Sequence, residues 1–173
     1  MDLMIDIEGL ATGPEATILT IAAQGFDPMG QGYYSDHFYY ARITLESQPN
    51  RTIEQSTIDW WATQKEAQAE AFAEDGRVDL DVALQELAKL VRKCTRVWAQ
   101  GPTYDATILE NAYKSYGFAL PWQYYMVRDS RTVFGLYPDL ERPPTSHHAL
   151  EDCRRQITLL QQCLKHLNVR ELK

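Results

Sequence analysis

Long hydrophobic runs are missing from this 173-residue chain. No apolar stretch approaches the ~18 residues that crossing a bilayer requires, so no membrane-spanning helix is expected. A basic segment leading into an apolar one is missing from the N-terminus as well, so no secretory signal is expected and a cytoplasmic protein is. Cysteine is scarce. Cys94, Cys153 and Cys163 form an odd, scattered set without CxxC spacing, which fits packed thiols in a reducing compartment better than disulfides or a zinc site. Repeats, low-complexity tracts and long linkers are lacking, and the length is that of one domain, residues 1–173. Positive charge is in deficit: 17 Lys and Arg face 24 Asp and Glu, a net charge of −7. That balance argues against a polyanionic partner. The objection weakens if some of the acid is clustered around divalent cations, whose charge reverses the local field.

What is there reads as α/β. Residues 2–8 alternate, with Leu3, Ile5 and Ile7 facing one way and Met4, Asp6 and Glu8 the other. Residues 17–26 read as a buried strand, and the aromatic-rich "YYSDHFYYARITL" as another after the turn "DPMGQG". Helices are expected at 54–64 and 66–73. Over 80–93, Leu84, Leu87, Ala88 and Val91 form one stripe, with Lys89, Arg92 and Lys93 near the C-terminus. A short strand at 96–100 precedes a helix from Asp105 to about Tyr116, for which Gly117 is a natural stop. Residues 124–129 suggest a last strand and "SRTVFGLY" a short helix. A closing helix is striped by Leu150, Cys153, Ile157, Leu160, Leu164 and Leu167. Three strands followed by alternating helices and strands predict a mixed sheet flanked by helices.

Asp6 and Glu8 pose the question of the sequence, because carboxylates on an apolar strand are rarely buried unless paired or bound to a metal. Two apart on a strand, they share a face within about 7 Å and can reach one cation or bracket two. By itself DxE is weak and fits a solvated strand edge. Asp105, in "GPTYDATIL", suits a helix N-cap. In "SHHALEDC", His147 and Asp152 are five apart and do not share a helical face. They converge only if His147 lies in the loop before the closing helix and Asp152 in its first turns, where the helix dipole favours acid.

Taken in order, DxE on the first strand, Asp after a later strand and H-x4-D at the final helix resemble the DEDDh 3′–5′ exonuclease superfamily, with its ribonuclease H-like fold. "HHALEDC" is similar to that family's His-x-Ala-x-x-Asp-Ala, with Cys153 in the last place. "STIDWW", "RDSRT" and "GPTYDATIL" further resemble the phage exonuclease A group and a related branch of bacterial ribonucleases. The resemblance implies a mixed five-stranded sheet flanked by helices and a 3′–5′ exonuclease acting on a single-stranded 3′ end, DNA slightly favoured over RNA. It implies Asp6, Glu8, Asp105 and Asp152 as ligands of two divalent cations, Mg²⁺ or Mn²⁺, with Asp6 bridging them, and His147 as general base on the attacking water. Two such ions about 4 Å apart activate water, neutralise phosphate and stabilise the leaving oxygen, and imidazole is the side chain that titrates near neutrality. It also implies a homodimer.

Four further residues are candidates for substrate contact. Tyr104, beside Asp105, and one of the Trp60–Trp61 pair, for which Trp61 is named, are candidate base platforms. Arg128 and Arg131, flanking Asp129, are a candidate phosphate clamp, with a capped helix and surface ion pairs as the equal alternative. His37, His148 and His166 have no functional case. A non-catalytic binding module on the same fold is the alternative function, and a different metal-dependent hydrolase a weaker one.

Overall fold

The computed structural model describes residues 1–172. Five strands, β1 (Asp2–Gly9), β2 (Ile18–Phe26), β3 (Tyr33–Arg42), β4 (Val97–Ala99) and β5 (Val127–Asp129), form one sheet in the order β3-β2-β1-β4-β5. The β3–β2 and β2–β1 pairs are antiparallel, whereas β1–β4 and β4–β5 are parallel. The sheet therefore changes sense at β1. The carboxyl ends of β1 and β4 open side by side there, the place where α/β sheets form a binding crevice.

Alternation along β1 separates two cores. Leu3, Ile5 and Ile7 join the apolar stripes of α3 (Leu80–Val91) and α4 (Asp105–Ser115). Met4 joins β2, Trp98 and the stripes of α5 (Ser130–Gly135) and α6 (Ala149–His166) on the opposite face. Covered on both faces, β2 is buried along its whole length, as expected of a central strand that reads as a continuous apolar run. A smaller cluster of Leu10, Leu19, Trp61 and Ala71 lies under α1 (Gln55–Trp61) and α2 (Lys65–Ala71).

Two helix ends close the same way. After α4, the Gly117 and Phe118 N–H groups donate to Lys114 and Tyr113 carbonyls, with Gly117 at φ 68°. After α6, Asn168 at φ 54° and Val169 repeat the pattern on Lys165 and Leu164. Both are Schellman endings, and glycine and asparagine are the residues that tolerate the left-handed turn. The α6 stripe thus ends at Leu164, and Leu167, expected within it, is the partly exposed C-cap.

The expected strand at 124–129 is half turn. Tyr124–Met126 forms a 3₁₀ turn and only Val127–Asp129 pairs. Its neighbour β4 is three residues long, so nothing remains for Tyr124 and Tyr125 to pair with, and both project into solvent.

Candidate active site

Four carboxylates and a histidine from distant parts of the chain meet at the crevice. They line a cavity of about 680 Å³. Asp6 and Glu8 leave β1 on the α6 side, following the same alternation that places Met4 there. Asp105 is the first residue of α4 rather than its cap, which is Tyr104. β4 pairs with β1 only at Leu3 and Met4, and beyond that ladder Asp105 Oδ1 accepts the Ile7 N–H at 3.1 Å. The carboxylate is thereby pinned beside Asp6 and Glu8. Ligand atoms of Glu8, His147 and Asp152 lie within 4.8 Å of one another.

The two ends of this set differ in charge. At Asp152, burial pushes the carboxyl up, but hydrogen bonds outweigh it and hold the group below its ordinary value. Oδ1 accepts the Ser146 N–H at 3.0 Å and Arg155 Nε at 3.1 Å, while Oδ2 accepts the His147 N–H at 2.9 Å and the Thr145 hydroxyl. Asp6, Glu8 and Asp105 have less relief: one hydrogen bond from another residue each at Asp6 and Asp105 and, among the described residues, none at Glu8. Burial, then repulsion from Asp105, Glu8 and Asp152, raises Asp6 well above its ordinary value, opposed by one hydrogen bond from Gln156. Burial followed by the charges of Asp152, Asp105 and Glu70 pushes Glu8 up to about 9. Burial also raises Asp105 to about 7, against the pull of the Ile7 N–H, its own backbone N–H and the Arg131 charge. The contrast with Asp2 on the same strand is instructive. Asp2 is more deeply buried, at 1% exposed, yet it accepts hydrogen bonds from Arg96 and Trp98, both at 2.8 Å. Among the described residues no Lys or Arg forms an ion pair with Asp6, Glu8 or Asp105.

This donor set fits divalent cations. Hard oxygen ligands of which three lack an ion-pair partner are the environment that Mg²⁺ and Mn²⁺ neutralise, and the His147 imidazole stands at its edge.

His147 lies in the loop before α6, as expected, but its backbone is not loose. Its N–H is bonded to Asp152 and its φ is 55°, a left-handed conformation that a non-glycine residue holds only when its surroundings enforce it. The ring meets Trp60 edge-to-face, centroids 4.8 Å apart and planes at 87°. That contact corrects the assignment of Trp61. Trp61 is fully buried and its Nε1 donates to the Gly9 carbonyl at 3.0 Å, whereas Trp60 is 39% exposed and packs beside His147. Consecutive helix positions point about 100° apart, and the sequence could not say which of the two faced in.

Tyr104 lies in the cavity wall, half-buried, its hydroxyl donating to the Ala11 carbonyl at 3.4 Å. A Cβ on Gly9 would come within 2.9 Å of that hydroxyl, so glycine is what lets the tyrosine close on the end of β1. Arg131 also lines the cavity, donating to the Gln100 carbonyl at 3.1 Å. Arg128 does not. Its guanidinium donates to the carbonyls of Tyr125 and Val127, and the residue is not among those lining the cavity. The proposed arginine pair is therefore a single arginine at the site. Asp129 between them is the α5 N-cap, accepting the Arg131 N–H at 2.9 Å.

Three contributors went unnoticed in the sequence. Thr145, Arg155 and Gln156 all hold a site carboxylate. The latter two lie three and four residues after Asp152, the positions that share its helical face, and that spacing was the available signal.

A family model described as the Rv2179c-like 3′-5′ exoribonuclease domain matches residues 1–164. No curated protein matches the chain in sequence. Among solved structures, the nuclease domain of 3′hExo, described as a DEDDh family member bound to rAMP, is similar at a TM-score of 0.65 and 12% identity. That similarity covers 99% of this chain and 94% of the other. Pop2p of S. pombe, in a form with Mg²⁺ and Mn²⁺ bound, gives 0.67 at 10% identity over 99% and 86%. Cell-death related nuclease 4 (CRN-4) gives 0.60 at 14% identity, and the match covers 95% of this chain but only 64% of that one. At these identities the structures attest to the fold alone, which this chain builds on its mixed five-stranded sheet flanked by helices.

Proposed function

The chain belongs to the family of Rv2179c-like 3′–5′ exoribonuclease domains and is a hydrolytic exonuclease, and from that premise we propose that it shortens single-stranded RNA from the 3′ end at the acidic cavity. The observation that carries the assignment of the site is the group of half-buried Asp6 and Glu8 and buried Asp105, none of them in an ion pair among the described residues, gathered beside His147. RNA is favoured by the description of the family. DNA, suggested by the phage-like segments of the sequence, is the second reading.

In this proposal Asp6, Glu8, Asp105 and Asp152 hold two divalent cations. When bound, such cations neutralise the scissile phosphate, acidify water and stabilise the leaving 3′ oxygen. His147 accepts the proton of the attacking water on its imidazole, steadied by its backbone bond to Asp152 and by the Trp60 ring. Arg131 faces the phosphate and Tyr104 offers a ring to a terminal base. Residues 1–173 act as one domain, and two copies pair, as several relatives implied by the sequence resemblance do. Sedimentation as a monomer at micromolar concentration refutes the pairing.

The test is digestion of matched RNA and DNA oligonucleotides, each labelled at the 3′ or the 5′ end, with Mg²⁺, with Mn²⁺ and with EDTA. Immediate release of 3′ label as mononucleotide, faster on RNA and abolished by EDTA, is expected. Release of 5′ label first, internal cleavage, or full activity in EDTA refutes the proposal, and faster loss of DNA reverses the substrate order.

A further inference from the structure

We propose that Gln156 is a positioning residue of the cation site: its carboxamide orients the Asp6 carboxylate for a divalent cation and completes its own hydrogen bonding on water that the cation carries. The inference rests on the reading of the cavity given above.

Gln156 is 2% exposed and lies one helical turn beyond Asp152, so α6 delivers both side chains to the same wall. Its Nε2 donates to Asp6 Oδ1 at 2.8 Å. Among the described residues no other group donates to that carboxylate, so this one bond selects its rotation and leaves Oδ2 as the free ligand atom. The other end of the amide, Oε1, is sealed from solvent and has no donor among the described residues. Buried acceptors are nearly always satisfied. An orphan in a cavity wall points to a donor that comes with whatever the cavity binds. Mg²⁺ keeps several of its waters when bound to protein, and their hydrogens are such donors.

The neighbouring residue makes the contrast. Arg155 grips Asp152 with a full positive charge, which pairs that carboxylate within the protein. Gln156 grips Asp6 with a neutral amide, which orients the oxygen without cancelling the charge that attracts a cation. Groups of this kind, bonded to a ligand rather than to the metal, cost about 10–100-fold in metal affinity when removed.

The test replaces Gln156 by residues that keep bulk and lose the amide, Gln156→Met and Gln156→Leu, with Asp6→Ala in parallel. Binding of Mn²⁺ alone is read from the paramagnetic resonance signal of the free ion, without nucleic acid. The expected result is a dissociation constant raised about 10-fold or more in both Gln156 variants, with kcat recovering at saturating Mn²⁺ and KM for an RNA oligonucleotide unchanged. A role in packing alone lowers the melting temperature and leaves the Mn²⁺ constant where it was. If Asp6→Ala binds Mn²⁺ as the wild type does, the reading of the cavity falls. If Asp6→Ala loses Mn²⁺ while both Gln156 variants bind within about twofold of wild type, only the inference about Gln156 is overturned. A measurement on the unaltered protein guards against variants that do not fold. The side-chain amide resonances of Gln156 should shift on Mg²⁺ saturation, and unshifted resonances overturn the inference.

Discussion

Removing divalent cations and raising the pH should loosen the protein, against the usual expectation that neutral pH is benign. Asp105 has a folded-state pKa of about 7 and Glu8 of about 9, against ordinary values of 3.8 and 4.5. A carboxyl raised in this way binds its proton more tightly in the folded chain than in the unfolded one. Its contribution to stability is therefore complete below the ordinary value and is lost as the pH climbs through the folded one. Between about pH 5 and pH 7 each such group costs about 1.4 kcal/mol per pH unit. The two repel each other, so their contributions overlap. Asp6 is raised in the same sense and shares in that overlap; a single group acting alone gives about 3 kcal/mol over the interval, which is the lower figure. Asp152 is shifted the other way and loses its contribution only in stronger acid, outside this window. For a chain of this length that single-group figure lowers the melting temperature by roughly 6 °C or more. Thermal melts in EDTA at pH 5, 6, 7 and 8, repeated with saturating Mg²⁺ or Mn²⁺, measure it. The cation should restore more stability at pH 8 than at pH 5, because it binds the ionised carboxylates. Glu8→Gln should flatten the EDTA series. A melting temperature in EDTA that is constant or rises from pH 5 to pH 7 refutes the reasoning.

Two other perturbations separate roles that resemble each other on paper. Asp6→Asn and Asp152→Asn are both expected to abolish turnover, but they should move stability in opposite directions. Asn at 6 removes a buried like charge and should raise the melting temperature in EDTA at pH 8. Asn at 152 sets an amide N–H against donors already in place and should cost about 1–3 kcal/mol; melts of the two variants that move together would contradict the electrostatic picture. The tryptophans divide similarly. Trp61→Ala should cost about 3–5 kcal/mol of stability as a core truncation. Trp60→Ala should leave the melt nearly unchanged and lower kcat by freeing the His147 ring, and kcat equal to wild type would remove Trp60 from the site.

Much of this molecule is legible without its structure because its signals are local. Alternation on β1 announces which residues face α6, since the period of a strand is two wherever it is placed. The spacing of Leu84, Leu87, Ala88 and Val91 announces the buried side of α3 for the equivalent reason. The H-x4-D pattern also carried its own geometry: five residues cannot share a helical face, so His147 had to precede the helix. Signals that depend on a second element were not available. The Trp60–Trp61 pair offered two faces and no way to choose, because the choice belongs to Gly9, whose carbonyl takes the Trp61 Nε1–H. Arg128 and Arg131 looked symmetrical about Asp129. The 3₁₀ turn at Tyr124–Met126 gives Arg128 the carbonyls of Tyr125 and Val127, and only Arg131 reaches the crevice.

The sequence by itself determined the strand and helix faces and the order of the acidic motifs, because each follows from neighbours along the chain. Only the tertiary structure decided that Asp105 would lock onto the Ile7 N–H, that Asp152 would be sated with donors while Glu8 was left with none among the described residues, and that Gln156 would hold Asp6. The Asp105 and Gln156 bonds join residues 98 and 150 positions apart, the Asp152 bonds need a local loop folded back on its own helix, and neither burial nor such closure is written in local spacing.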